Sequence, residues 1–170
     1  MTATARIANE LAGCGIRLVA SLPDNWIAEL IEALDRDERF IHVRVNREES
    51  AIGLCSGAFF GGQGALALMG ASGLMTCVYA ITKINYTYEV PILIFTTLRG
   101  AVGDPAHHHL ANGLYLTRVL DAISLPYTIV EREDQIPVIS QAYRQARTMN
   151  RPYVVAFTRR LLRGDPGRAE

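Results

Sequence analysis

Apolar residues return along this chain in two alternating rhythms, one of helical spacing and one of short continuous runs. Residues 3–13 place Ile7, Leu11 and several alanines on one helical face, and Gly13 and Gly15 close that segment. Residues 16–20 form a short apolar run that predicts a strand. The turn Leu22-Pro23-Asp24-Asn25 then opens a helix in which Trp26, Leu30, Ile31 and Leu34 recur at helical spacing. Residues 40–45 and 65–69 predict the second and third strands, with a helix between them. Gly70-Ala71-Ser72-Gly73 turns into a further helix running through Ile84. Residues 91–97 are apolar at nearly every position, as a strand covered on both faces must be. A polar loop follows, then helix over 110–122, strand over 127–130, helix over 135–149 and a last apolar strand over 153–157.

Strands alternating with helices in this way specify an α/β fold: a three-layer α/β/α arrangement around a six-stranded parallel sheet with right-handed crossovers. Ligands of such sheets sit beyond the C-terminal strand ends. The loops there hold Asp24 and Asn25, Arg47 and Glu48, Ser72 and Gly73, and residues 99–109. The segment between the second and third strands organises the rest. Asn46 offers an N-cap oxygen, and Glu49, three residues on, has the spacing to reach back to the cap amide. That leaves Glu48 in the first helical turn, either placed for chemistry or simply complementing the helix dipole. Gly53, Gly57 and Gly61 follow at four-residue spacing. Each interior glycine costs roughly 1 kcal/mol relative to alanine, so the stripe predicts close approach of another backbone.

Composition narrows the class. Hydrophobic residues at 49% and charged residues at 20% suit one globular domain, expected over residues 1–160. Seventeen basic and seventeen acidic residues cancel, so no global field points to nucleic acid. No apolar signal region opens the chain and no run approaches the ~20 apolar residues of a membrane span, so the cytoplasm is the expected compartment. Cys14, Cys55 and Cys77 lie in apolar contexts without metal-ligand spacing and read as reduced, buried thiols. The stretch after Thr158 is basic, then Gly- and Pro-rich, and residues 161–170 are expected to be a solvated tail.

With those elements placed, a resemblance emerges. Glu48, Gly57, Gly64 opening the next strand, Ala71-Ser72-Gly73, Asn85 and the run P-I-L-I-F-T-T resemble the pyrimidine-binding domain of thiamine-diphosphate enzymes. L-P-D-N-W, N-R-E-E-S-A-I-G and T-T-L-R-G are most similar to the sulfopyruvate decarboxylase alpha subunit and the phosphonopyruvate decarboxylases. The resemblance runs from about residue 3 to residue 160. It implies a 2-keto acid decarboxylase in which Glu48 shares a proton with the aminopyrimidine of the cofactor, a task for one packed, partly desolvated carboxylate. Ser72 and Gly73 are implied as cofactor contacts.

The same resemblance departs from the family at one place. The diphosphate-binding half carries Gly-Asp-Gly and, further on, Asn-Asn; the nearest segment here is Gly164-Asp165-Pro166, with no asparagine pair after it. A diphosphate needs backbone amides and Mg²⁺ to offset its charge. The diphosphate and Mg²⁺ are therefore expected on a separate beta subunit, in a hetero-oligomer whose cofactor sites lie between chains. No metal site is expected in this chain.

His107-His108-His109 followed by L-A-N-G resembles the histidine-pair segment of pyruvate decarboxylases. Three adjacent histidines make poor zinc geometry but suit proton transfer near neutral pH, a role the resemblance gives to His107 and His108. An exposed polar loop without a role is the plain alternative. Substrate contacts are implied for Asp24, Asn25, Arg99 and His109, although Asn25 also suits a helix cap and Arg99 a loop ion pair. Residues 100–106 read as a loop able to close over the cleft. Two further classes stay open: a non-catalytic or regulatory small-molecule-binding domain of the same fold, and a metal-dependent hydrolase built on the histidines. The sequence leaves open whether the substrate carries a sulfonate, a phosphonate or another acidic group.

Overall fold

The computed structural model describes residues 1–100, 104 and 106–164. Most of the 100–106 loop and the Asp165-Pro166 segment therefore lie outside the described residues. Strands β1 (Ile16–Ser21), β2 (Ile41–Arg44), β3 (Gly64–Leu68), β4 (Leu93–Leu98), β5 (Tyr127–Val130) and β6 (Tyr153–Thr158) form one six-stranded sheet in the order β2-β1-β3-β4-β6-β5. Every pairing is parallel, with Val19 opposite both His42 and Leu66, Leu66 opposite Leu93, and Phe95 opposite Val155. The three-layer α/β expectation holds.

The helices are α1 (Ala3–Gly13), α2 (Ala28–Asp35), α3 (Glu48–Phe60), α4 (Ala71–Thr76), α5 (Val78–Ala80), α6 (Leu110–Ala122), α7 (Val138–Met149) and α8 (Arg159–Arg163). Steps toward one sheet edge, β1 to β2, put α2 on one face; steps the other way put α3, α4 and α6 on the opposite face. A single handedness of parallel crossovers requires that sorting. Two cores result. Ile7, Leu11, Leu30, Leu34 and Ile139 pack on Val19, Phe95 and Phe157 on the first face. Ile52, Cys55, Leu74, Leu116 and Leu120 pack on Ala67, Ile94 and Val154 on the second. Strand β4 feeds both, with Leu93 and Phe95 on one side and Ile94 on the other. A strand buried on both faces has no solvent side for polar residues, which is why residues 91–97 read as continuous apolar sequence.

Five local expectations need correction. Asn46 is not the cap of α3: Arg47 occupies that position in extended conformation, without a side-chain cap bond. Glu49 does not close a capping box but accepts from Arg47 Nη2 at 3.3 Å. Its own backbone amide, then Arg47, hold its carboxyl below the ordinary range. The helix expected through Ile84 is broken into α4, α5 and a π-helical turn, Ile81–Tyr86, which buries Asn85 against Ser56 Oγ (3.0 Å) and the Val90 carbonyl (3.1 Å). The glycine stripe meets no other element among the described residues: nothing stands within 4 Å of where a Cβ would lie on Gly53 or Gly57, and one on Gly61 would meet only carbonyls of its own helix, Ala58 O at 3.3 Å and Gly57 O at 3.7 Å. Finally, the described part of the segment after Thr158, residues 159–164, is not solvated throughout, because Leu161 and Leu162 of α8 are buried in the first core. Each such leucine gains about 1.5–3 kcal/mol from burial, enough to hold a five-residue helix in place.

Candidate active site

The site is built where α/β geometry puts it, beyond the C-terminal ends of β1, β3 and β4. Asp24 hangs from the loop after β1. Its Oδ1 accepts from the Trp26 amide at 2.8 Å, which folds the loop into an Asx turn before α2. Gly70, after β3, lies so close that a Cβ there would stand 2.5 Å from Asp24 Oδ2. A side chain at position 70 would push the Asp24 carboxylate out of this place.

Helix α4 starts directly behind Gly70 without a cap of its own. Thr97 in β4 supplies one, its hydroxyl accepting from the Ala71 amide at 3.2 Å. Glu48, in the first turn of α3, reaches across to this turn and lies over Gly73. A Cβ on Gly73 would fall 2.6 Å from Glu48 Cδ, with Oε1 and Cγ nearer still. Glu48 is half-buried while Ser72 is exposed. The three residues the resemblance assigns to the cofactor, Glu48, Ser72 and Gly73, therefore share one corner of the sheet top.

Ser72 also donates to Asn112 Oδ1 at 3.1 Å, a buried side chain of α6 that sequence reasoning did not single out. The signal for it was the L-A-N-G segment itself, since Gly113 is what brings α6 here. A Cβ on Gly113 would meet Gly100 O at 2.5 Å and Arg99 O at 3.0 Å. Gly100 in turn holds φ +72° and sits under the Gly113 amide. Two glycines thus let the start of α6 cross the end of β4 backbone to backbone.

That crossing places the histidines. They form a 3-10 turn, His107–His109, ahead of α6. His107 and His108 are exposed; His109 turns inward. Arg99 Nη1 points at His109 Nε2 (2.6 Å), and Arg99 Nη2 donates to Asp24 Oδ1 (2.5 Å). The guanidinium also stacks 4.5 Å from the Trp26 ring centroid, and its side chain is only 9% exposed. Arg99, which the resemblance assigns to a substrate anion, is paired here with Asp24, the loop ion pair the sequence also allowed. Both ring nitrogens of His109, which the resemblance assigns to substrate, face side chains here: Nε2 faces Arg99 and Nδ1 faces Asp104 Oδ2 at 2.8 Å. Asn25 stands apart from this set; it is exposed, and its carbonyl accepts from Arg163 at 3.1 Å. It does not cap α2 either, since the cap position belongs to Ile27.

A second polar chain, unforeseen from the sequence, lies beside the first. Ser21 Oγ meets His42 Nε2 at 2.7 Å, His42 Nδ1 meets Asp35 Oδ1 at 2.6 Å, and Arg44 Nη2 meets Asp35 Oδ2 at 2.8 Å. The His42 hydrogen bond, then Arg44, hold the Asp35 carboxyl below its ordinary range. Ser21 is 1% exposed, so this chain ties β1, β2 and α2 together rather than presenting a nucleophile. Its two ends, Ser21 and Arg44, line an open cleft of about 220 Å³ together with Asp24 and Asn25. Among the described residues no group of three or more His, Cys, Asp or Glu side chains is arranged to hold a metal ion. No described helix is long and apolar enough to cross a membrane.

No family model matches the chain. It is 29% identical over 135 residues to the sulfopyruvate decarboxylase subunit alpha of Methanococcus maripaludis, covering 79% of this chain and 81% of that one. The chain is thus similar to curated sulfopyruvate and phosphonopyruvate decarboxylases. The sulfopyruvate decarboxylase of Methanosarcina acetivorans is 27% identical over 140 residues, 82% of this chain but 36% of the relative. The phosphonopyruvate decarboxylase of Streptomyces viridochromogenes is 27% identical over 132 residues, 76% of this chain and 33% of its own length. The chain thus spans about a third of these two longer relatives and four-fifths of the alpha subunit.

Proposed function

We propose that this chain is the pyrimidine-binding subunit of a thiamine-diphosphate-dependent 2-keto acid decarboxylase acting on sulfopyruvate or phosphonopyruvate. The observation that carries the reading is the Glu48 carboxylate, lying across Gly73 at the C-terminal edge of the sheet. The residues fit one end of the cofactor. Glu48 is half-buried at the start of α3 and lies against Gly73 of α4, which supports a carboxyl able to share a proton with an aminopyrimidine nitrogen. When bound, thiamine diphosphate supplies the electron sink for loss of carbon dioxide from a 2-keto acid.

The work of this chain is positional. Glu48 holds a proton at the pyrimidine ring, Ser72 and Gly73 leave that ring room, and Arg99 pairs with Asp24 and holds its side chain at the switch between β1 and β3. The exposed rings of His107 and His108 make no hydrogen bond to the described residues and are the groups we assign to moving protons at the reacting end. The diphosphate and Mg²⁺ belong to a beta subunit, as the match in extent to an alpha subunit supports. The open stripe of Gly53 and Gly57 on α3, beside Leu54 and Phe60, gives that subunit a flat surface to pack on.

Reconstitution tests the proposal. The chain is mixed with a beta subunit bearing the diphosphate-binding domain, thiamine diphosphate and Mg²⁺, and carbon dioxide release is followed with each keto acid. Release that requires both chains is expected. A chain that associates with that subunit yet yields no release from either acid contradicts the reading.

A further inference from the structure

Asp104 is the most heavily engaged carboxylate near the site. Its side chain is 3% exposed, and it accepts from the Gly100 amide (2.9 Å), the Ala106 amide (3.1 Å) and His109 Nδ1 (2.8 Å to Oδ2). Burial alone would raise its carboxyl, but the Gly100 amide, His109 and the Ala106 amide outweigh it and hold it below the ordinary carboxylate range. Such a group is an acceptor on every side.

That settles the hydrogen on the ring beside it. Arg99 has donors only, so His109 Nε2, 2.6 Å from Arg99 Nη1, must present a lone pair. Nδ1, facing a carboxylate, must carry the hydrogen. Asp104, His109, Arg99 and Asp24 then form one continuous chain of donors and acceptors from the loop after β4 to the loop after β1. The Trp26 ring bounds it from the side, edge-on to His109 at 5.7 Å and under Arg99.

We infer that Asp104 is a positioning residue: it fixes His109 as the Nδ1–H tautomer, turns the Nε2 lone pair onto Arg99, and thereby holds the Arg99–Asp24 pair at the switch between β1 and β3. The three adjacent histidines are divided in role by this arrangement. His109 has no nitrogen left for a substrate, whereas the ring of exposed His108, 4.2 Å from that of His109, remains available. An imidazole oriented by a carboxylate behaves as a fixed element, and replacing the carboxylate with an amide admits the wrong tautomer.

The test reads the tautomer itself, then its consequence. In the ¹⁵N-labelled full chain, two-bond nitrogen–proton correlations of the imidazoles show which nitrogen of His109 bears the hydrogen. The wild-type chain is expected to show His109 protonated at Nδ1 with a bare Nε2, and Asp104→Asn is expected to mix or reverse that pattern. A wild-type His109 bearing hydrogen on Nε2, or an Asp104→Asn chain with the pattern unchanged, overturns the inference. The wild-type spectrum decides even where the variant does not fold. The kinetic arm rests on the decarboxylase reading: in the two-subunit assembly Asp104→Asn should lower kcat about ten- to hundredfold with KM nearly unchanged, since misplacement by about 1 Å has that effect. Full kcat with an altered tautomer overturns the positioning role. An inactive wild-type assembly instead counts against the reaction, and the tautomer result stands apart from it.

Discussion

Gly73→Ala isolates the placement of Glu48 from everything else in the fold. The new Cβ would stand 2.6 Å from Glu48 Cδ, and ordinary contact begins at 3.4 Å, so the carboxyl group must retreat by close to 1 Å. The atoms in the way are the end of a side chain, not backbone, so the helix can keep its course. Turning Glu48 off its rotamer costs about 0.5–1.5 kcal/mol. Replacing an interior helical glycine returns about 1 kcal/mol. The two nearly cancel, and the melting temperature of the chain should stay within a few degrees of wild type. Activity should not survive as well. A carboxylate displaced by about 1 Å from its partner atom costs on the order of a hundredfold in rate. The assay is steady-state carbon dioxide release by the two-subunit assembly, run beside a thermal melt of the variant chain. Wild-type kcat in a normally folded Gly73→Ala variant would refute the reasoning that Glu48 acts from where it lies.

Two other glycines give opposite expectations. Gly57→Ala meets nothing within 4 Å and should stabilise the isolated chain by about 1 kcal/mol, raising Tm by about 2–4 °C, while weakening assembly with the beta subunit. Gly113→Ala would drive a Cβ to 2.5 Å from Gly100 O, a backbone atom, and should lower stability by about 1–3 kcal/mol in denaturant melts. On acidification, Asp104 and Asp35 both have lowered carboxyls, so their stabilisation is complete above the unfolded value near 3.9 and is lost as pH falls through the lower folded values. Urea melts between about pH 5 and pH 2 should show that loss, with a shallower acid limb in Asp35→Asn. On the proposed division of the site between two subunits, calorimetry with thiamine diphosphate and Mg²⁺ should find weak or no binding to the chain alone.

The layered fold was legible because period and run length are local: β5 begins and ends where its apolar run does, and α6 where its helical spacing does. Glu48 was legible for the same reason, as a carboxylate in the first turn after a strand. What the sequence concealed depends on where distant atoms meet. Arg47 rather than Asn46 takes the cap of α3 because backbone direction, not side-chain type, sets that position. Asp24 and Arg99 are far apart in sequence and join only through the order of β1, β3 and β4. Asn112 reaches Ser72 because Gly100 and Gly113 let two backbones touch, and neither glycine announces its partner. Leu161 and Leu162 sat inside a basic stretch, where composition outweighed two apolar residues that pack on the first core.

The central claim is that Glu48, and not its neighbour, serves the cofactor. It is tested most directly by comparing Glu48→Gln with Glu49→Gln in the assembled two-subunit enzyme, measuring carbon dioxide release and the thermal melt of each. Glu48→Gln should keep the melt and lose most of the activity, because the amide cannot share a proton with the pyrimidine ring. Glu49→Gln removes a charge that faces only its own backbone amide and the exposed Arg47, and should keep both. An active Glu48→Gln enzyme beside an inactive Glu49→Gln one would contradict the account.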